Sequence, residues 1–166
     1  MKLVYLACPY SHPDPAVREG RFHQVNQAAS VLMRAGLHVF SPISHTHPIL
    51  TDGGLPTGWD YWQEYDREIL SACGALVVFC LEGWQRSAGV QGEMKIAEEM
   101  RIPAFLVGSC ADCADIIAPQ LLLLLHGPDA AGDCIADEAR VLERRAERLR
   151  ERAEEVLDNE VQKGAR

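Results

Sequence analysis

Apolar residues in this chain are concentrated in four short runs, each bounded by turn-forming or polar residues. The runs contain many β-branched, leucine and aromatic residues, and they lack a clear helical spacing. Short runs of this kind are typical of strands that are buried on both faces of a sheet. The predicted strands are Lys2–Ala7, Leu37–Ser41, Ala75–Cys80 and Ile102–Gly108.

Between these runs, apolar residues recur at the spacing of a helix. A helix is predicted over Pro15–Ala35, because Asp14 followed by proline is a start signal and Gly36 is a stop signal. Two more helices are predicted over Trp59–Cys73 and Ser87–Arg101. The order predicts an α/β fold: an open, mostly parallel sheet of four to five strands with helices on both faces, flavodoxin-like or Rossmann-like. Ligands of such sheets bind beyond the carboxyl ends of the strands.

One segment interrupts the alternation of strands and helices. Pro42–Gly58 contains several prolines and glycines, and we predict it as a single long loop. A loop of this length inside a compact domain is usually functional or mobile. Within it, His45 and His47 would alternate along an extended segment, so that both could face one ligand.

The pattern weakens towards the C-terminus. Asp112–His126 is predicted as a short helix, with a fifth strand near Leu121–Leu125 as an alternative. Asp133–Lys163 is predicted as a long charged helix whose narrow apolar stripe packs on its own domain or pairs with a second subunit. We therefore expect an α/β domain over residues 1–126 and a C-terminal helical extension over residues 127–166.

Charge and composition restrict the class of function. Lys and Arg number 16 and Asp and Glu number 24, which gives a net charge of −8. An acidic chain lacks the positive field that binding to a nucleic-acid polymer or an anionic membrane requires. No apolar run is long enough for a signal-peptide core or a membrane span, so we expect a cytoplasmic protein. The six cysteines are then expected as reduced thiols.

Asp66 interrupts the apolar face of its predicted helix. Trp59, Trp62, Ile69 and Cys73 share one stripe, and Asp66 lies in the middle of it. A carboxylate among apolar side chains is costly unless it is paired or protonated. Two interpretations follow: a salt bridge to a basic residue elsewhere, or an acid with a raised pKa that can donate a proton.

The start of the Ser87–Arg101 helix is a candidate anion site. Ser87 could be an ordinary N-cap, but a helix N-terminus with Ala88 and Gly89 also offers free N–H groups to a phosphate. Glu93 lies six residues further on, about 9 Å along the helix axis. A nucleotide could place its phosphate on the helix tip and its sugar beside Glu93.

Metal or redox chemistry has weaker support in the sequence. His45 and His47 have no third ligand at a suitable spacing, and binding of substrate is the favoured interpretation. Cys110 and Cys113 form a single C-x-x-C pair that does not follow the first strand, as a thioredoxin-like motif would. We expect no metal and no cofactor.

Taken together and in order, these segments resemble the nucleoside 2-deoxyribosyltransferase-like superfamily, within the branch catalogued as DUF1937. The resemblance covers about residues 1–108. The motifs that carry it are YLACPYS at Tyr5–Ser11, the turn at Gly36–Pro42, SHTHPI at Ser44–Ile49, GWDYWQEYDREIL at Gly58–Leu70 and ALVVFCLEGWQRSAGVQGE at Ala75–Glu93.

The resemblance implies an enzyme that acts on N-glycosidic bonds. It places the nucleophile on Glu93, assistance at the base on Asp66, and orientation of the nucleophile on Tyr5. It implies neither NAD nor a metal, and sites completed by a neighbouring subunit, so a homo-oligomer is expected. The residues expected to bind substrate are Pro9, Tyr10, His45, His47, Trp84, Ser87, Ala88 and Gly89.

Ser87 departs from the transferases, which carry an aspartate at this position to contact the 5′-hydroxyl of the sugar. Serine resembles the members that hydrolyse deoxynucleoside 5′-monophosphates, where it helps to bind the phosphate. The expected function is cleavage or transfer at the N-glycosidic bond of a nucleoside 5′-monophosphate, with Glu93 as nucleophile. Alternatives are a transferase of free nucleosides, a non-catalytic nucleotide sensor, and a metal protein that uses His45 and His47.

Overall fold

The computed structural model describes residues 2–126 as an α/β fold built on one open sheet. The strands lie in the order β2-β1-β3-β4, and every pair of neighbours is parallel. This confirms the predicted fold class. The strands are β1 (Leu3–Ala7), β2 (Val39–Phe40), β3 (Cys73–Phe79) and β4 (Ala104–Val107).

The helices follow the strands closely along the chain. The four longer ones before β4 are α1 (Pro15–Arg34), α2 (Pro42–Gly53), α3 (Trp59–Ser71) and α4 (Ala88–Glu99). A 3₁₀ turn, Trp84–Arg86, precedes α4. Beyond β4 lie one α-helical turn (Cys110–Asp112), a short π-helix (Cys113–Ile117) and the helix Ala118–His126. The alternative of a fifth strand at Leu121–Leu125 is therefore wrong, because these residues lie inside that last helix.

Helices cover both faces of the sheet. The alternation of side chains along β1 directs Val4 and Leu6 towards α1 and the helix Ala118–His126. It directs Tyr5 and Ala7 towards α3 and α4. All four side chains are fully buried. The polar hydroxyl of Tyr5 thus lies between the sheet and the helices α3 and α4.

The segment after β2 is a helix, so the prediction of one long loop over Pro42–Gly58 is wrong. Ser41 caps α2 by accepting a hydrogen bond from the backbone N–H of Ser44 at 3.3 Å. Gly54 ends the helix in the left-handed conformation, with φ of 64°. The interior Pro48 and the clustered glycines masked the helix in the sequence, since proline normally breaks one.

The helical conformation also separates the two histidines of this segment. Residues two apart on a helix point about 200° away from each other. His45 is exposed on α2, whereas His47 is buried between α1 and α2. The expectation that both face one ligand from an extended segment is therefore wrong.

Two predictions concern residues that the structure does not describe. The C-terminal helix over Asp133–Lys163 and the extension over residues 127–166 lie outside the described residues. Within residues 2–126, no helix combines the length and the apolar character that crossing a bilayer requires.

Candidate functional site

Tyr5 and Glu93 form a buried hydrogen bond below the carboxyl edge of the sheet. The Tyr5 hydroxyl donates to Oε1 of Glu93 at 2.8 Å. Tyr5 is fully buried, and Glu93 is only 4% exposed. Glu93 faces the sheet because it shares the inner face of α4 with Val90 and Ile96, at helical spacing.

Asp66 is a second buried carboxyl in the same region. It is 6% exposed on the inner face of α3, and its Oδ1 has no hydrogen-bond partner within the described residues. Burial raises its pKa to about 6, and the nearby Tyr5 hydroxyl opposes this increase in part. The structure thus favours the raised-pKa interpretation over a salt bridge.

The two carboxyls influence each other's ionisation. The pKa of Glu93 is raised well above its ordinary value, first by burial and then by the negative charge of Asp66, while the hydrogen bond from Tyr5 acts in the opposite direction. Burial and both carboxylates raise the pKa of Tyr5, so its hydroxyl keeps its proton and remains the donor. Because two like charges are disfavoured in one buried site, we infer that the pair shares one proton near neutral pH.

A cleft of about 320 Å³ opens above the two carboxyls. It lies at the carboxyl ends of β1 and β2 and the start of α4, where ligands of open parallel sheets bind. The thiol of Cys8 in its wall is no candidate nucleophile, because burial and the charge of Glu93 raise its pKa and keep it protonated. The cleft is lined by Cys8, Tyr10, Ser11, Pro42, Ile43, Thr46, Leu50, Thr57, Trp59, Trp62, Asp66, Arg86, Ser87, Ala88, Gly89 and Glu93.

One end of the cleft has the features of an anion site. Ser87 caps α4 by accepting from the N–H of Val90 at 3.4 Å, which leaves its own O–H proton available to a ligand. Ala88 and Gly89 line the same end and belong to the helix N-terminus. Arg86 adds a positive charge beside them.

Close packing of α3 on α4 brings the two carboxyls into one cleft. The indole of Trp59 lies against the first turns of α4, within 3.9 Å of the position that a Cβ on Gly89 would occupy. A Cβ on Gly92 would overlap the indole itself. A glycine at position 92 is therefore required for α3 to approach α4 this closely.

The structure brings together most of the residues predicted for the site. Asp66, Glu93, Ser87, Ala88, Gly89 and Tyr10 line the cleft, and Tyr5 supports Glu93 from below. The remaining four predicted residues are not among the lining residues. Pro9 is fully buried, His45 is exposed, His47 is buried behind Tyr10, and Trp84 packs on the core beneath α4.

Arg86 and Thr46 are cleft residues that sequence reasoning missed. Arg86 had a readable signal, since a cation directly before the cap of a candidate anion-binding helix adds to the attraction of that helix for an anion. Thr46 had none, because its place in the cleft depends on α2 being a helix.

Metal ligands are not clustered in the described part of the chain. Among residues 2–126, no group of three or more His, Cys, Asp or Glu side chains is arranged to hold a metal ion. Cys110 and Cys113 are free thiols, and burial raises the pKa of Cys113 to about 11.

The fold and the cleft define an α/β protein with a cleft at the carboxyl edge of a parallel sheet, above two buried carboxyls. The chain belongs to the family described as "Domain of unknown function (DUF1937)", whose family model matches residues 2–109. That range includes all four strands of the described sheet and every residue that lines the cleft. No curated protein matches the chain.

The raised pKa of Asp66 predicts a cost in stability that depends on pH. A carboxyl whose pKa is raised from 3.8 to about 6 by folding loses its stabilising contribution as the pH rises through this interval. Asp66→Asn should therefore match the wild type near pH 4 and exceed its unfolding free energy by up to about 3 kcal/mol near pH 7. Denaturant unfolding at a series of pH values measures this difference.

The control for this experiment is Glu68→Gln, which removes an exposed carboxylate from the same helix. Its effect on stability should be small and nearly constant across the same pH range. A difference between Asp66→Asn and wild type that does not grow with pH would show that Asp66 is not a destabilised acid.

Proposed function

We propose that the protein cleaves, or transfers to an acceptor, the N-glycosidic bond of a (deoxy)nucleoside 5′-monophosphate. The observation that carries this proposal is the pair of buried carboxyls in one cleft. Glu93 accepts a hydrogen bond from Tyr5, whereas Asp66 has an unpartnered oxygen. Glycosidic cleavage by two steps requires such a pair, one carboxylate to attack and one acid to protonate the leaving group.

The reaction would proceed through a covalent intermediate. A carboxylate oxygen of Glu93 attacks C1′ of the sugar, and the C1′–N bond breaks with its electron pair leaving on the base. Asp66 donates its proton to the departing base. Water then attacks C1′, gives one proton to the carboxylate of Asp66 and releases Glu93. In a transfer reaction a second base replaces the water, and both routes retain the configuration at C1′.

The hydrogen bonds of the pair support this assignment of roles. The proton that Tyr5 donates stabilises the ionised form of Glu93. In the ligand-free site the strongly raised pKa of Glu93 favours the shared proton on Glu93 near pH 7, and Asp66, which has a free oxygen and a pKa of about 6, takes that proton when a ligand enters. Positive charge that develops at C1′ further favours the ionised state of Glu93.

The anion end of the cleft supports a monophosphate over a free nucleoside. Ser87 retains a proton to donate, and Arg86 brings a cation to the tip of α4. In a chain of net charge −8, a local cation beside a helix N-terminus is a selective place for an anion. This supports the hydrolase-like interpretation of Ser87.

A nucleotide sensor is the second candidate function. The observation that favours it is the strong burial of Glu93, because an acid that remains protonated cannot attack C1′. Release of free base from a panel of nucleotides distinguishes the two. Binding of nucleotide with background release by both the wild type and Glu93→Ala would support the sensor.

For an enzyme, removal of either carboxyl has a distinct kinetic effect. Glu93→Gln keeps an acceptor for Tyr5 but removes the nucleophile, so kcat/KM for base release should fall by about 10⁴-fold or more. Asp66→Asn should lower kcat/KM by about 10²–10⁴-fold. Glu98→Gln, an exposed change on the same helix as Glu93, is the control and should retain wild-type activity.

The pH profile identifies which carboxyl carries the proton. In the wild type, kcat/KM should be bell-shaped, because the active form has one proton in the pair. In Asp66→Asn the alkaline limb should disappear, since no acid remains to be titrated. The acidic limb should stay nearly in place, because Asp66 is already protonated and uncharged on that side of the bell. An unchanged bell would exclude Asp66 as the acid.

Substitutions at the anion end test the substrate class. Ser87→Ala and Arg86→Gln should each weaken monophosphate binding about 10- to 100-fold, the scale of a lost hydrogen bond to a charged group, and leave nucleoside binding nearly unchanged. Ser87→Asp should shift the preference towards nucleosides, because a carboxylate repels phosphate but can accept from a 5′-hydroxyl. Calorimetric titration with both ligand classes gives the ratio.

Two controls accompany these variants. Arg34→Gln removes the same charge from the far end of α1, at the opposite edge of the sheet, and should leave the ratio unchanged. Unfolding of Ser87→Ala corrects for the lost cap, which contributes about 1 kcal/mol. If the variants at positions 86 and 87 keep the wild-type preference for monophosphate over nucleoside, the substrate class is wrong.

A further inference from the structure

Three residues that line the cleft from the β1–α1 loop and α2 carry hydroxyl groups that hydrogen-bond to other groups of the protein. We call Tyr10, Ser11 and Thr46 the acceptor wall. The Ser11 hydroxyl donates to the backbone carbonyl of Thr57 at 2.7 Å. The Thr46 hydroxyl donates to the carbonyl of Pro42, one turn earlier in α2, at 2.8 Å. A hydroxyl has one proton, so these two oxygens can only accept from a ligand.

The proton of Tyr10 is fixed by a chain of two further side chains. Nε2 of His47 lies 3.0 Å from Oε2 of Glu19, and Nδ1 of His47 lies 2.8 Å from the Tyr10 hydroxyl. A carboxylate only accepts, so in the neutral ring the single imidazole proton lies on Nε2 and Nδ1 is an acceptor, whereas a doubly protonated ring would donate from Nδ1. With a neutral His47, Tyr10 is the donor in this hydrogen bond.

The surroundings of His47 prevent the ring from turning. His47 is only 9% exposed, and the ring of Phe22 stacks on it with centroids 4.2 Å apart and planes at 15°. The other oxygen of Glu19 accepts from His23 at 3.0 Å, which holds the carboxylate in place. His47 and Glu19 are thus positioning residues for the Tyr10 hydroxyl.

We propose that the acceptor wall selects nucleotides whose base carries an exocyclic amine. This inference rests on the proposed function, which places phosphate at Ser87 and the sugar at Glu93. The part of the cleft left for the base then includes the acceptor wall, formed by the β1–α1 loop and α2. An amine donates protons to this wall, whereas a carbonyl oxygen would lie against lone pairs with no proton between them.

The binding experiment uses Glu93→Gln, which binds ligand without consuming it. The probes are two pairs of 5′-monophosphates: deoxyadenosine with deoxyinosine, and deoxycytidine with deoxyuridine. Each pair exchanges an exocyclic amine for a carbonyl. In at least one pair the amine should bind about tenfold more tightly, the scale of one or two hydrogen bonds. Equal affinity within both pairs overturns the proposal and leaves the proposed function intact.

Variants of the wall, made in the same Glu93→Gln background, test its members. Tyr10→Phe and Thr46→Val each remove one acceptor and should reduce the preference for the amine about three- to tenfold. The matched control is Thr51→Val: Thr51 donates to the carbonyl of His47 at 2.8 Å, also one turn back in α2, but lies outside the cleft. An equal loss of preference in the control would show that only helix stability matters.

A measurement without ligand tests the direction of the Tyr10 hydrogen bond. Nitrogen-15 NMR of the His47 ring should show a proton on Nε2 and none on Nδ1, and a proton on Nδ1 overturns the proposal. If the NMR result is as expected but no nucleotide binds, the proposed function fails and the amine preference fails with it. If the NMR result is as expected but the carbonyl member of each pair binds as tightly as the amine member, the amine preference is wrong and the proposed function is unaffected.

Discussion

The hydrogen bond between Tyr5 and Glu93 is the contact on which the organisation of the site depends. It joins the central strand β1 to α4 through two side chains that are almost wholly withdrawn from water. A buried carboxyl is costly, and a second one at Asp66 increases the cost through repulsion. The fold can bear this cost because the neighbouring residues in β1 and β3 are apolar and buried, and their burial stabilises the sheet. Stability given up at a cluster of acids is typical of functional sites.

The position of Glu93 depends in turn on how closely α3 packs against α4. Trp59 fits against α4 only because position 92 carries no Cβ. This contact places Asp66 and Glu93 above the same strand, while Ser87 remains at the tip of α4. A bulkier residue would move α3 outwards and separate the two carboxyls. A packing requirement thus fixes the spacing of groups that would act chemically together.

Much of this arrangement could be predicted from local sequence, and the exceptions have a common cause. The four apolar runs gave the strands, and Asp66 was recognised because a carboxylate interrupts an apolar stripe. The helix α2 was missed because Pro48 and the following glycines oppose it locally, while the caps at Ser41 and Gly54 favour it. Residues placed by that helix, above all His47 and Thr46, could not be assigned correctly either. Their partners are distant in sequence or depend on the helix itself.

The distribution of donors and acceptors makes the cleft polar along its length. Asp66 and Glu93 leave electron-rich oxygens in its floor, and the acceptor wall adds oxygens without free protons. At the other end, Ser87 offers a proton and Arg86 a positive charge beside the start of α4. A ligand with one anionic end would lose the hydrogen bond of Ser87 and the positive charge of Arg86 if it bound in the reverse direction. Contacts at the anion end would therefore determine the orientation of a bound nucleotide. The acceptor wall would then contact a base whose position these contacts determine.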